Sequence, residues 1–150
     1  MSHRWVGVSV GLALTIGAAA WAAGGNPVYE KREETMKQLG KPFYISIGRV
    51  VRGTAEFGPD TVTAAEQVAA LTKLIELGLF APGSDGGSSK MKPEIFAASE
   101  RVIQLTAAVQ DSANRLVLAA KSGDKAAVAA AFKMASDACA ACHNDYRRPE

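Results

Sequence analysis

Cys139-Ala140-Ala141-Cys142-His143 is the stretch of this sequence whose residue types and spacing can do chemistry. Two thiols three positions apart, with an imidazole directly after the second, have the spacing of a covalent haem attachment site. Cys139 and Cys142 would bond the two vinyl groups, and His143 would bind the iron. On a helix these residues fall at i, i+3 and i+4, so both sulfurs and the ring leave one face and can meet one side of a porphyrin. Two other chemistries use such residues. A zinc site needs a fourth ligand, whereas the chain holds 2 cysteines and 2 histidines in all, and the other histidine, His3, lies in a segment expected to be removed. A thioredoxin-type Cys-x-x-Cys opens a helix after a strand; this pair stands close to the end of the chain with no strand signal beside it.

The rest of the chain must supply a scaffold for that face. Its 150 residues suit one domain, and 48% hydrophobic content with only 7% aromatic points to an alanine-rich helical core. The formal charge is +2, with no basic cluster of the kind that binds nucleic acid. Both cysteines belong to the motif, so there is no disulfide framework. Arg4, the apolar run from Val6 to Ala20 and the small-x-small Ala20-Trp21-Ala22 read as a signal peptide over residues 1–22, leaving a mature chain of 23–150. The alternative is an uncleaved anchor. The run is short of the roughly 20 residues a spanning helix needs, so no stable membrane span is expected in the mature form. Covalent haem is attached outside the cytoplasm, and the leader and the motif therefore both name the periplasm.

Four helical segments follow. In helix A, from Val28 to about Arg52, Tyr29, Arg32, Met36, Leu39, Phe43, Ile47 and Val50 recur at steps of three and four, and Pro42 is expected to cost a hydrogen bond and bend the axis near Gln38 to Leu39. Helix B is expected from Thr63, as the capping box Thr63-Ala64-Ala65-Glu66, to Leu79. Phe80 to Lys92, rich in glycine, proline and serine, reads as a long crossover loop. Helix C, from Pro93 to Lys121, places Ile95, Val102, Val109 and Leu116 seven apart with small residues between them. Such alternation either leaves a flat volume for a planar cofactor or serves close helix packing. Gly123 stops helix C, and Asp124 caps helix D, whose seam carries Val128, Phe132, Ala135, Cys139, Cys142 and Tyr146. The pattern is that of an all-α, antiparallel four-helix bundle with one long B–C crossover loop.

On these residues the chain resembles the class II c-type cytochromes, the family of cytochrome c prime and its low-spin relatives. The resemblance rests on the C-terminal haem motif with Tyr146-Arg147 after it, on Lys92-Pro93-Glu94-Ile95-Phe96 opening helix C, and on Arg32-x-x-x-Met36 in helix A. It implies one covalent haem c in a four-helix bundle, with Met36 facing the open side of the haem. There a methionine either binds iron, giving a six-coordinate low-spin centre, or covers an empty site; a gap-filling core methionine is the plain reading of the same residue. Met36-Lys37-x-x-Gly40 is similar to the low-spin branch. The expected function is therefore one-electron transfer between periplasmic redox donor and acceptor proteins through a His143/Met36 pair, without enzymatic turnover. The alternative is a five-coordinate, high-spin binder of nitric oxide or carbon monoxide. A peroxidase would want a distal histidine, which the chain does not offer. Arg32, one turn from Met36, is a candidate partner for a haem propionate or else a solvated charge, and Arg147 with Arg148 forms a candidate basic rim for a partner. The resemblance also allows a homodimer through helices A and B.

Overall fold

In the computed structural model, which describes residues 25–149, the chain forms four helical rods. The signal-peptide reading of residues 1–22 lies outside the described residues. Helix A begins as α1, Pro27–Gly40. Asn26 caps it, its Oδ1 accepting from the amides of Val28 (2.9 Å) and Tyr29 (3.2 Å), and Pro27 occupies the first turn, where no amide proton is needed. The disturbance expected at Pro42 takes the form of a π-helical stretch, Lys41–Ile47, after which α2, Gly48–Val51, completes the rod. Pro42 has no N–H for the carbonyl four residues back; a wider turn absorbs that loss without ending the helix. Gly53, at φ 71°, turns the chain away.

Helix B differs from expectation at both ends. It is α3, Pro59–Thr72, and begins four residues before Thr63. Pro59 at the first position after an extended Gly58 makes the better start, and Thr61 Oγ1 accepts the Gly58 amide at 3.3 Å. The residues of the expected capping box serve elsewhere: Thr63 Oγ1 donates to the Pro59 carbonyl, and Glu66 meets Lys121 of the third rod at 2.8 Å. At the other end, Gln110 Nε2 donates to the carbonyls of Thr72 and Ile75 (3.3 Å each), which satisfies acceptors that a longer helix would have used itself. A short 3-10 helix, Leu77–Phe80, follows.

The crossover then runs to a second 3-10 helix, Pro93–Ala97, and the chain breaks at Ala98 before α4, Ser99–Ser122. The heptad stripe of helix C is the core: Ile95, Val102, Val109 and Leu116 are all buried, with Thr106, Ala113 and Ala120 between them. Ser99 is exposed. Gly123, at φ 75°, ends α4, and Asp124 Oδ1 caps α5, Lys125–Tyr146, at the amides of Ala126 and Ala127. The architecture is an all-α four-helix bundle; among the described residues there is no strand beyond an isolated bridge between Met91 and Arg147. None of the described helices is long and apolar enough to cross a membrane.

Buried residues fall into two clusters. One, around Phe43, Ile47, Ala65, Val68 and Leu116, fills the end of the bundle near the α4–α5 turn. The other, around Ile75, Leu79, Phe80, Met91, Ile95 and Val102, surrounds the end where α5 finishes.

Candidate haem site

Between the two clusters the bundle is hollow, and the cause is legible along α5. Phe132 is its last large inward residue before His143; the inward positions between them are Ala135, Ala138, Cys139 and Cys142. Two helical turns thus project nothing bulkier than a thiol, and facing residues cannot close the gap. An inner cavity of about 110 Å³ results, walled by Met36, Leu39, Phe43, Val68, Val109 and Ala135, among others, with Cys139, Cys142 and His143 on one side. An outer cavity of about 410 Å³ adjoins it, bordered by Tyr29, Arg32, Lys90, Met91, Tyr146 and Arg147. Met36, Phe80, Cys142 and His143 border both. Ligand pockets typically measure about 300–1,000 Å³, so the outer space is already of ligand size.

The inner walls offer almost nothing polar. Four hydroxyl side chains line it. Three turn their protons back onto their own helix, Thr72 to Ala69 O (3.0 Å), Thr106 to Ile103 O (3.0 Å) and Ser112 to Val109 O (2.8 Å), and the fourth, Tyr44, is an exposed residue at the cavity's edge. Burial pushes both thiols above their ordinary pKa; Asp145 and the neighbouring thiol add to this at Cys142, where Arg101 opposes. They are protonated and free rather than joined as a disulfide. Desolvation, and then Arg147, hold His143 below the ordinary value, which favours the neutral imidazole a metal needs.

Residues 90–92 fix the end of α5. Lys92 donates its amide to Tyr146 O (2.8 Å) and its Nζ to the carbonyls of Asn144 (3.2 Å) and Asp145 (3.0 Å), while the Arg148 amide reaches Lys90 O (2.7 Å). A cation on terminal carbonyls also complements the helix dipole. The residues fit a covalently attached haem. Two free thiols and a neutral imidazole leave one helix face, the space before them is apolar, and the helix carrying them is tied down just beyond.

Of the site residues expected from sequence, Cys139, Cys142, His143 and Met36 line the inner cavity together. Arg32 borders only the outer one. It is buried, and its four Nη protons go to Leu79 O, Ser84 Oγ, Ser84 O and Ser89 Oγ, which leaves only the Nε proton for a group in the cavity. Sequence reasoning missed Phe80, Met91 and Lys92. The first two are ordinary apolar residues flanking a loop, with no local signal; Lys92, directly before a helix-opening proline, carried a positional hint.

A four-helix bundle whose last rod turns Cys-x-x-Cys-His into an apolar cavity defines a class II c-type cytochrome. Comparison with known proteins narrows this. The family model for cytochrome c' matches residues 27–147. A cytochrome c' of Rhodocyclus tenuis is 35% identical over 61% of this chain and 71% of its own. The cytochrome c prime of Shewanella frigidimarina superposes with a TM-score of 0.76 at 29% identity, covering 81% of this chain and 94% of that one. A nitric oxide complex of a cytochrome c prime variant from Alcaligenes xylosoxidans superposes at 0.69 with 29% identity, covering 82% and 94%. The chain belongs to the cytochrome c' family and carries that family's single covalently attached haem c.

These relatives overturn the expectation of a low-spin electron carrier with a His143/Met36 pair. They are cytochromes c', which stand with the five-coordinate alternative. Met36 looked like a ligand because it stands four residues after Arg32, at the family's distal position, and opens a Met36-Lys37-x-x-Gly40 run similar to the low-spin branch. In the fold its apolar stripe is simply the wall of a hollow, and Met36 is a half-buried part of it.

Proposed function

We propose that this protein binds nitric oxide or carbon monoxide at a five-coordinate haem held by thioethers to Cys139 and Cys142, with His143 as the one protein ligand to iron. The observation that carries this reading is the inner cavity, whose aliphatic hydroxyls, Thr72, Thr106 and Ser112, are all back-bonded to their own helices, leaving the exposed Tyr44 phenol as the one other hydroxyl on its wall. When bound, the haem supplies an iron able to take a small ligand on its free side. The chain supplies the rest. Its thiols and imidazole hold the group, and its aliphatic and aromatic walls exclude water. A near-neutral diatomic loses little on entering such walls, whereas an anion or a peroxide would find few donors to replace its hydration. The same lack argues against peroxide turnover, which calls for a distal acid or base.

Export to the periplasm, with residues 1–22 removed, belongs to this proposal, since thioether attachment happens outside the cytoplasm. So does pairing of two copies through helices A and B, where Tyr44 and Ile45 of helix A stand exposed, as does Leu74 just past the end of α3; sedimentation of the purified protein tests it. The decisive experiment for the function is optical. The reduced protein should give a high-spin spectrum that converts to a low-spin adduct on adding carbon monoxide, and a low-spin spectrum indifferent to the gas would refute the reading.

A further inference from the structure

Among the described residues Arg32 is the only buried charged side chain, at 7% exposure, and its hydrogen-bond partners are oxygen dipoles, with the Asp85 charge acting on it without a hydrogen bond and the Tyr29 ring 5.7 Å from the guanidinium. Burying a guanidinium in this way is costly, and a loop could be plugged with apolar residues for less. What the guanidinium does is gather one segment. Nη1 donates to Leu79 O (2.7 Å) and Ser84 Oγ (2.8 Å), and Nη2 to Ser84 O and Ser89 Oγ (3.1 Å). Both serines pass the network on: Ser84 Oγ donates to Ala81 O (2.7 Å), and Ser89 Oγ accepts the Met91 amide (3.2 Å). Two further contacts from α1 hold the same segment, Tyr29 Oη with Ser88 Oγ (2.7 Å) and Asn26 Nδ2 to Gly83 O (3.0 Å).

Phe80 follows directly on one of the clamped carbonyls. It is buried, and it borders both the inner and the outer cavity. We propose that Arg32 is a positioning residue that latches the 79–89 loop, keeping Phe80 in the wall that the two cavities share with Met36, Cys142 and His143, and that the Phe80 side of this wall sets how fast a diatomic ligand reaches the inner one. A latch of hydrogen bonds can open locally while the helices stay folded. A wall on the path changes the rates of arrival and departure together and leaves the affinity alone, because it makes no contact that distinguishes free from bound. This inference rests on the gas-binding reading above.

The test is flash photolysis and rapid mixing of the reduced holoprotein with carbon monoxide. Phe80→Ala and Arg32→Lys, the latter keeping the charge but unable to span four acceptors, should raise association and dissociation rate constants alike, by about tenfold. Ser84→Ala, which removes one acceptor, should raise both about two- to threefold with an unchanged optical spectrum. In all three the dissociation constant stays within about twofold of the parent. Arg32→Lys should also speed amide hydrogen exchange across residues 79–89, and adding it to Phe80→Ala should change the rates no further. Unchanged rates in Phe80→Ala, an additive double variant, or a shifted affinity would overturn the latch; should Arg32→Lys fail to fold, Ser84→Ala and Phe80→Ala decide. If the parent takes no carbon monoxide, the gas-binding reading falls by itself. Reduction of the ferric protein by dithionite, which needs no open coordination position, then reads the wall, and an unchanged rate in Phe80→Ala overturns it.

Discussion

The two ends of this bundle are made from the same rods and similar residues, yet one is full and the other hollow. At the full end Phe43 and Phe132 stack with centroids 4.5 Å apart, and Ile47, Ala65 and Leu116 are wholly buried. Alanines there let helices approach until nothing is left between them. At the other end α5 presents Ala135, Ala138, Cys139 and Cys142 toward partners that stay apart. The difference is what a small residue faces. Where the opposite rod offers a large side chain, a small residue is filled; where it offers Val109, Ser112 and Ala113, it borders a void. The packed end acts as the stiff frame that keeps the void open, and the void is where a cofactor contributes the missing contacts.

Removing the cofactor tests that contrast hardest. Cys139→Ala made together with Cys142→Ala should cost on the order of 10 kcal/mol of apolar burial, against a usual domain stability of about 5–15 kcal/mol. The expected result is loss of a cooperative helical melt by circular dichroism; a parent-like melt would mean that the hollow end stands unaided. Leu116→Ala cuts into the full end instead. Its cost should be about 2–5 kcal/mol in thermal unfolding of the holoprotein, with the haem spectrum untouched. Met36→Ala enlarges a space that already exists, so its cost should fall below about 2 kcal/mol, with faster carbon monoxide binding and no change of spin state. A conversion from low to high spin in that variant would restore Met36 as a ligand. Asp124→Ala removes a cap beyond both regions and should cost about 1 kcal/mol in the melt while leaving gas binding at parental rates.

Rod count and core stripe were legible because they depend on periodicity: Ile95, Val102, Val109 and Leu116 repeat every seven residues and are buried as that spacing requires. Helix ends were less so. The Thr63 to Glu66 pattern has the right letters for a cap, but Gly58-Pro59 offered a better start upstream, and Gln110, distant in sequence, closed the other end. The attachment motif was readable from spacing alone. The role of Met36 was not, because a methionine on an apolar stripe looks the same whether it reaches a metal or lines a wall. Arg32 was likewise opaque: its partners lie 47 to 57 residues away, in a segment with no periodicity to announce them.

Resonance Raman spectroscopy of the reduced holoprotein, with no added ligand, reports coordination number and spin state together. A five-coordinate, high-spin iron bound through histidine is the predicted result. A six-coordinate, low-spin iron would contradict the account, since it would mean that a protein side chain fills the place kept for the gas.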